Sequence, residues 1–399
     1  MKELENDFMQ YQTQVVSNPM KISVDYADGH YIYGKDGKKY LDFVAGVSVN
    51  TFGHGNKKIK EAIKEQLEKY LHTMVYGEFI QEPCVQLCKS LAKNTPYPLK
   101  KTYLVTSGTE AVEGALKLAK VYTGREEIIS CKWAYHGSTH GSMSIMGNEN
   151  YKRSFRPLLP LIKFFTFNKI EELSSSITEK TACVILETIQ CSSGVILPKN
   201  SFLKKVKKKC EEKKVLMILD EIQTGFGRTG KLFAFEHYGI VPDILIMGKG
   251  MGGGMPISGF MSSDEIMKFF SDHVPLGHLS TFGGNPVAAA ASLTTINQLI
   301  ESNIMEDVFL KEKWIRKYLV HDQIKNIHGK GLLLSLELRN KNYTHRVLES
   351  CLKKGLILFR FLFHSSSLRI SPPLTITEKE IQEGCSIIIE SLNNLKKKY

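Results

Sequence analysis

The sequence predicts an α/β protein: a large domain with a mostly parallel sheet covered by helices on both faces, and a smaller α+β domain. From residue 101 onward, short apolar strands alternate with helical patterns, which is the order of βαβ units. The strands are predicted at 102–105, 127–131, 162–167, 182–186, 215–219 and 244–247. Those at 182–186, 215–219 and 244–247 are apolar throughout, as strands buried on both faces of a parallel sheet are.

The pattern changes after residue 300. Strands predicted at 331–338 and 368–371 flank a helix predicted at 346–353, a mixture typical of a small α+β domain. Thr377 and Glu380 have the spacing of a capping box in front of a last helix. This region therefore supplies most of the smaller domain.

The N-terminal part is predicted to join that smaller domain. Residues 31–43 alternate short apolar runs with Asp-Gly turns, which predicts a small antiparallel meander. We predict three parts: an N-terminal segment of the small domain, a large domain that contains the parallel sheet, and a small C-terminal domain whose last residues, 396–399, form a frayed tail. Their bounds are 1–50, 51–300 and 301–399.

One helix is predicted from apolar residues that recur at intervals of four after Gly55. Its buried stripe is predicted to consist of Ile59, Ile63, Leu67 and Leu71.

Composition excludes several classes of protein. The 399 residues are 42% apolar and 24% charged, as in ordinary globular proteins. The net charge is +12, but the lysines are scattered and the densest run, 204–214, carries apolar residues at helical spacing, so it predicts a solvated helix face and no nucleic-acid partner. Eight dispersed cysteines predict neither a metal site nor a disulfide framework. No apolar run approaches membrane-spanning length, so we expect a cytoplasmic protein without a membrane partner.

In open parallel sheets, ligands bind beyond the carboxyl ends of the strands. Lys249 follows the strand predicted at 244–247 and is set among glycines. A lysine drawn into a concave site loses its proton more readily and attacks a carbonyl to form a Schiff base, although a lone lysine of this kind is more often a surface residue. Asp220 ends the strand predicted at 215–219, where it is a candidate metal ligand or a partner for a protonated ring nitrogen.

The first strand of the large domain ends in Ser107-Gly108-Thr109, a hydroxyl and glycine turn that opens directly into a helix. Free N–H groups and the helix dipole favour a phosphate at such a position. An ordinary helix cap has the same pattern. Glu187 ends another strand of the sheet and is predicted to face the same edge.

Together these motifs resemble a known family. Ser107-Gly-Thr-Glu-Ala111, Tyr135-His-Gly137, Asp220-Glu-Ile-Gln223, Lys249 and Ser280-Thr-Phe-Gly-Gly-Asn-Pro286 occur in the order and context of the class III aminotransferases of fold type I. That family includes the acetylornithine, ornithine and 4-aminobutyrate aminotransferases. The resemblance extends from about residue 24 to the C-terminus.

The resemblance implies pyridoxal 5′-phosphate as cofactor and a homodimer with active sites at the subunit interface. Lys249 would hold the cofactor and move the proton, and Asp220 would pair with its ring nitrogen, because a carboxylate favours the protonated ring. The other cofactor-binding residues would be Ser107, Gly108 and Thr109 at the phosphate, Tyr135 on the ring face, Gln223 near the ring hydroxyl, and Thr281 at the phosphate of the neighbouring subunit.

On the substrate side, the resemblance implies that Arg369 clamps a carboxylate, a task suited to its planar fork. Ser280, Ser138 and Glu187 are the other predicted substrate-binding residues. Ser138 stands where many relatives carry an arginine that holds a second carboxylate, and Ser192 stands where many carry a glutamate that masks the clamp. Both departures bear on the identity of the amino donor.

We therefore expect a ping-pong aminotransferase that uses 2-oxoglutarate and glutamate. The expected donor is N-acetylornithine or a related acylated or ω-amino acid of arginine or lysine biosynthesis. An aminomutase, a racemase or an α-amino acid aminotransferase on the same scaffold is an alternative. A non-catalytic binding protein is another, and the retention of both Lys249 and Asp220 argues against it.

Overall fold

The computed structural model describes residues 2–199 and 201–396, so residues 397–399 of the predicted tail lie outside the described residues. The strands are β1 (Val24–Asp28), β2 (Tyr31–Gly34), β3 (Lys39–Asp42), β4 (Lys101–Val105), β5 (Glu127–Cys131), β6 (Ile162–Phe165), β7 (Thr181–Glu187), β8 (Leu216–Asp220), β9 (Ile244–Met247), β10 (Ser258–Ser262), β11 (Ile324–Lys330), β12 (Leu333–Leu338), β13 (Leu356–Ile357), β14 (Phe359–Arg360) and β15 (Ser367–Ile370).

The helices follow the same alternation. They are α1 (Lys2–Tyr11), the one-turn α2 (Ala45–Ser48), α3 (Lys57–Lys69), α4 (Glu82–Lys93), α5 (Gly108–Thr123), α6 (His140–Ser144), α7 (Ile170–Ser176), α8 (Phe202–Glu212), α9 (Asp264–Asp272), α10 (Pro286–Glu301), α11 (Ile304–Tyr318), α12 (Tyr343–Lys353) and α13 (Glu378–Lys396).

The central sheet has the strand order β4-β10-β9-β8-β7-β5-β6. The neighbours from β9 to β6 pair in parallel, which confirms the predicted mostly parallel sheet. The six strands predicted for the large domain correspond to β4 to β9. The prediction missed β10, which runs antiparallel to both β4 and β9.

Helices cover both faces of this sheet because alternate residues of each buried strand point to opposite sides. On β7, Val184 and Leu186 belong to the core cluster that contains the apolar face of α8, whereas Cys183 and Ile185 belong to the cluster that contains the apolar face of α5. The lysine-rich helix α8 buries Phe202, Leu203, Val206 and Cys210, as its spacing predicts.

Two smaller sheets lie outside the central one. The predicted meander is confirmed as β1-β2-β3, and β13 adds to it in parallel with Leu41 opposite Leu356, so that the N-terminal segment pairs with the C-terminal part of the chain. The other sheet has the order β11-β12-β15-β14; β12 and β15 correspond to the predicted strands, and β11 was missed. The domain boundaries at 50 and 300 stay a prediction.

The apolar stripe predicted on α3 is only partly correct. Ile59 is buried, but Leu67 and Leu71 are 42% and 63% exposed. The helix ends at Lys69, before Leu71, where the side chain of the buried Gln66 donates to the Tyr70 carbonyl at 3.0 Å. The capping box at the other end of the chain is confirmed: Thr377 N donates to Glu380 Oε2 at 2.9 Å, and Glu380 N donates to Thr377 Oγ1 at 3.3 Å.

In the described part of the chain, no helix has the length and apolarity that crossing a membrane requires. The eight cysteines are free thiols. Within residues 2–199 and 201–396, no three His, Cys, Asp or Glu side chains are grouped as a metal site.

Candidate active site

The carboxyl ends of the parallel strands meet at one cavity, as predicted. Glu187 at the end of β7 lies opposite Asp220 at the end of β8, and Lys249 follows β9, the next strand. The cavity has a volume of about 370 Å³. The predicted residues that line it are Gly108, Thr109, Tyr135, Ser138, Glu187, Asp220, Gln223, Lys249 and Arg369.

Lys249 leaves the sheet through a tight turn. It has a left-handed φ of 46° at the start of a single 3-10 turn, Lys249–Gly252. Its Nζ donates to Gln223 Oε1 at 2.7 Å. Burial, and then the positive charge of Arg369, lowers the Lys249 pKa to about 8. The amine is therefore closer to its neutral, nucleophilic form than a solvated lysine is.

Asp220 has a buried histidine as its partner. His136 Nδ1 lies 2.7 Å from Asp220 Oδ2, and Asp220 Oδ1 accepts from Ile222 N at 3.0 Å. The His136 side chain is fully buried, and its Nε2 has no hydrogen-bond partner among the described residues. The sequence prediction did not assign this pairing. Its only signal in the sequence was the position of His136 in the Tyr135-His-Gly137 motif that carries the resemblance.

The N-terminus of α5 forms an anion cradle. Ser107 caps the helix, since its Oγ accepts from Glu110 N at 3.4 Å while Glu110 Oε2 accepts from Ser107 N at 3.2 Å. The N–H groups of the first helical turn, which belong to Gly108 and Thr109, have no intrahelical acceptors. At Gly137, which faces this turn, an added Cβ would lie 2.5 Å from Thr109 Oγ1. The close approach of these two loops explains the glycine.

Tyr135 and Gln223 also line the cavity. Tyr135 OH lies 3.1 Å from Ser138 Oγ, so the serine positions the ring. Gln223 Nε2 donates to Ser48 Oγ at 2.6 Å, which leaves its Oε1 to accept from Lys249. These contacts fix the Gln223 amide between the N-terminal segment and the lysine.

Arg369, on β15, lines the cavity with a guanidinium that forms no ion pair among the described residues. It is 8% exposed and lies 4.9 Å from the centre of the Phe361 ring. Its Nη1 donates to Gln223 Oε1 at 3.4 Å, and its buried Nε has no partner in the described structure. Burial lowers its pKa. No described carboxylate forms an ion pair with it, so this side of the cavity fits an incoming carboxylate.

Three predicted residues do not line this cavity in the single chain: Ser107 caps α5 next to it, whereas Ser280 and Thr281 lie farther along the chain in another region. Thr281 Oγ1 lies 3.2 Å from Tyr76 OH, and Ser280 lines a separate cavity of about 470 Å³ beside the segment 75–85. Within one chain, neither residue reaches the group around Lys249.

The sequence prediction missed Val47, which lines the cavity from the one-turn segment α2. Ala45, Gly46, Val47 and Ser48 all have positive φ, and Val47 has φ 64° and ψ 51°. A left-handed conformation costs about 1–2 kcal/mol for an L residue and is an outlier for a β-branched one. Asp42 Oδ1 holds the turn by accepting from Val44 N and Ala45 N, both at 2.8 Å. Such strain is concentrated at functional sites.

The cavity residues fit pyridoxal phosphate. One cavity contains an anion cradle at the α5 N-terminus, a buried carboxylate, an aromatic ring and a lysine with a lowered pKa. These match the phosphate, the ring nitrogen, the ring face and the carbonyl of that cofactor.

Comparisons with known proteins agree. The family model described as Aminotransferase class-III matches residues 12–392. An acetylornithine aminotransferase from Caldanaerobacter subterraneus is 37% identical over 95% of this chain and 96% of its own length. A [LysW]-aminoadipate semialdehyde/glutamate semialdehyde transaminase from Sulfolobus acidocaldarius is 37% identical over 94% of this chain and 96% of its own. The ornithine aminotransferase structure from Toxoplasma gondii superposes with a TM-score of 0.91 at 27% identity, covering 100% of this chain and 96% of that one.

The chain belongs to the class III aminotransferases. It is an enzyme that transfers an amino group with pyridoxal 5′-phosphate as its cofactor, and its fold is that of the fold type I transaminases. These findings confirm the family, the fold class and the cofactor that the sequence motifs predicted. The roles of the individual site residues stay predictions.

Proposed function

We propose that this aminotransferase moves an amino group between glutamate and the oxo form of a second amino substrate, with 2-oxoglutarate as the product of glutamate. The observation that carries this proposal is the Arg369 guanidinium in the wall of the cavity that contains Lys249, because no carboxylate of the described residues forms an ion pair with it and its Nε has no hydrogen-bond partner there. A substrate whose carboxylate binds Arg369 would present its amino carbon to that lysine. The names of the relatives support a second substrate of the N-acetylornithine class, in cytoplasmic arginine or lysine biosynthesis.

Each cavity residue then has a task. Pyridoxal phosphate, when bound, withdraws electrons from the substrate carbon that carries the nitrogen. Lys249 Nζ would hold the cofactor and carry the proton to and from that carbon. Asp220, oriented by His136, would keep the ring nitrogen protonated. The N–H groups of Gly108 and Thr109 would bind the phosphate.

The residues that replace the family's arginine and glutamate favour a donor whose carboxylate is next to the amine. Ser138 is a short neutral side chain whose hydroxyl lies against Tyr135. Ser192 is buried beside the cavity and has no charge with which to mask Arg369. In N-acetylornithine the carboxylate lies at the far end from the reacting amine, so it would not meet Arg369. An α-amino acid aminotransferase is therefore the second candidate.

We expect glutamate to convert the bound cofactor readily and N-acetylornithine to bind more weakly, because Arg369 is the only strong carboxylate clamp proposed here. One charge-assisted pair is worth about 1.5–3 kcal/mol, which is roughly ten to over a hundredfold in affinity. Ser138→Arg should increase the affinity for N-acetylornithine by that factor. Single-turnover conversion with glutamate, N-acetylornithine, N-succinyl-diaminopimelate, ornithine and 4-aminobutyrate measures it.

Ser174→Arg is the matched control, since it adds the same charge on the exposed side of α7, outside the cavity. If the wild type handles N-acetylornithine as efficiently as glutamate and Ser138→Arg brings no gain, another residue supplies the second clamp. Arg369→Gln should weaken the binding of glutamate by a similar factor. Unchanged glutamate binding in this variant would show that Arg369 does not bind the substrate carboxylate.

We also infer a homodimer, because one face of the chain exposes several large apolar side chains to solvent. Phe79, Ile80 and Phe282 are 58%, 94% and 58% exposed. They belong to two segments, 71–85 and 274–282, that the Thr281 to Tyr76 hydrogen bond joins. Contiguous exposed apolar surface of this kind marks an interface. The family resemblance implies that Thr281, which belongs to this face, reaches the phosphate of the neighbouring subunit.

Ile80→Asp should weaken dimerisation by about a hundredfold or more, since an unpaired carboxylate buried in an interface costs several kcal/mol. Sedimentation over a dilution series measures it, and cofactor retention should fall in parallel. Val320→Asp is the control, because Val320 is 77% exposed and lies on neither segment. A monomeric wild type, or a dimer unaffected by Ile80→Asp, would contradict this interface.

A further inference from the structure

Glu187 is a buried carboxylate with a hydrogen-bond donor at one oxygen and, among the described residues, none at the other. Its Oε2 accepts from Cys191 N at 2.8 Å, and the nearby backbone N–H of Tyr135 also lowers the pKa of the carboxyl group, although less than burial raises it. Its Oε1 is buried in the cavity wall without a hydrogen-bond partner in the described structure. A buried carboxylate oxygen without a donor costs free energy, so its environment favours the arrival of a proton.

Glu187 also interacts electrostatically with both cations that line the cavity, Lys249 and Arg369. Its negative charge raises the pKa of Lys249 and of Arg369, against the larger lowering effect of burial on both. No ion pair joins Glu187 to either cation within the described chain. The titratable and charged groups that face it are Cys131 of β5, His136 in the following loop, Cys191 after β7, Asp220 of β8, Lys249 after β9 and Arg369 of β15.

We propose that Glu187 is the internal counter-ion of the cavity: it carries a negative charge while the carboxylate site is empty, and it takes up one proton when a substrate carboxylate binds at Arg369. The proton comes from solvent and resides on the carboxyl group of Glu187. A carboxylate at Arg369 supplies the negative charge that Glu187 supplied before, and two carboxylates in one buried site repel each other. This inference rests on the carboxylate site at Arg369 proposed above, and it makes Glu187 a positioning residue for the substrate.

The direction of the pH dependence follows from the protonation of the free site. Burial, opposed by His136 and reinforced by Asp220, raises the Glu187 pKa to about 7. A bound carboxylate raises that pKa further. Above neutral pH the empty site is therefore ionised and the occupied site protonated, so binding takes up a proton. Affinity for a carboxylate ligand then falls as pH rises, by up to about tenfold per pH unit, and well below neutral pH this dependence vanishes.

Glutarate is the probe, because it has two carboxylates and neither an amine nor an oxo group to react. Calorimetry of glutarate with the cofactor-loaded protein, in two buffers of different ionisation enthalpy at about pH 8, measures the protons taken up. We expect about one proton per site in the wild type and close to none in Glu187→Gln. Infrared difference spectra of the wild type should show a carboxylic acid band that appears with glutarate, and this second measurement needs no variant.

Glu221→Gln is the matched control. Burial raises the Glu221 pKa to about 7 as well, but its oxygens accept from Thr188 Oγ1 at 2.7 Å and from Phe235 N at 2.8 Å, and it does not line the cavity. Proton uptake should persist in this variant. Glutarate binding that is absent, or unchanged in Arg369→Gln, refutes the carboxylate site itself. Binding through Arg369 without proton uptake, or with uptake that survives Glu187→Gln, refutes only the role of Glu187.

Discussion

Lys249→Ala is expected to lose about 10⁴-fold or more of the transamination rate, because it removes both the amine that would hold the cofactor and the group that would move the proton. Positioned acid–base catalysis alone contributes about 10²–10⁴-fold. The structure gives this lysine the right surroundings, since burial and Arg369 lower its pKa to about 8 and Gln223 holds its Nζ at 2.7 Å. Steady-state rates with glutamate measure the loss.

Borohydride reduction of the loaded wild type, followed by peptide mapping, should locate the cofactor on Lys249. Lys231→Ala is the control, because Lys231 is an exposed lysine. This variant should still be labelled at Lys249 and should keep the wild-type rate. Cofactor attached to another lysine, or a fully active Lys249→Ala, would overturn the assignment.

Asp220→Asn is expected to keep the cofactor and lose about a thousandfold in turnover, which corresponds to about 4 kcal/mol of barrier. The amide has the shape of the carboxylate and can still accept a hydrogen bond from His136, 2.7 Å away in the wild type. It lacks the charge that would keep the ring nitrogen protonated. Turnover at saturating cofactor, together with the dissociation constant of the cofactor, separates the two effects.

The control for Asp220 is Asp264→Asn, which neutralises an exposed carboxylate paired with Lys101 at 2.7 Å. That surface pair is worth about 0–1 kcal/mol, so activity should not change. Near wild-type turnover in Asp220→Asn would remove this carboxylate from the chemistry.

The elements that the sequence predicted well are those whose pattern is local. Strands β7, β8 and β9 are buried along their whole length, and an unbroken apolar run of at least four residues marks each one. Strand β10 was missed because Ser258 and Ser262 at its ends and Gly259 within it interrupt any such run. It is a strand because β4 and β9 pair with it on either side.

For the helix over 57–69, the sequence predicted a buried apolar stripe of which only part is buried. Its apolar stripe has the correct period, but the period does not say what covers the stripe. Leu67 and Leu71 are exposed in the single chain. Residues 71–85 form part of the face that we propose a second copy covers, and such a partner leaves no signal in the spacing of one sequence.

By itself the sequence determined the order of the strands in the chain, the residues at their carboxyl ends and, through the joint occurrence of those motifs, the family and its cofactor. Only the tertiary structure decided how those residues act on one another. His136 and Asp220 are separated by 84 residues and Gln223 and Arg369 by 146, yet each pair is in contact. Within the described residues, the Glu187 oxygen without a donor and the Arg369 Nε without an acceptor are likewise properties of packing, because burial and pairing depend on neighbours that only the folded chain brings together.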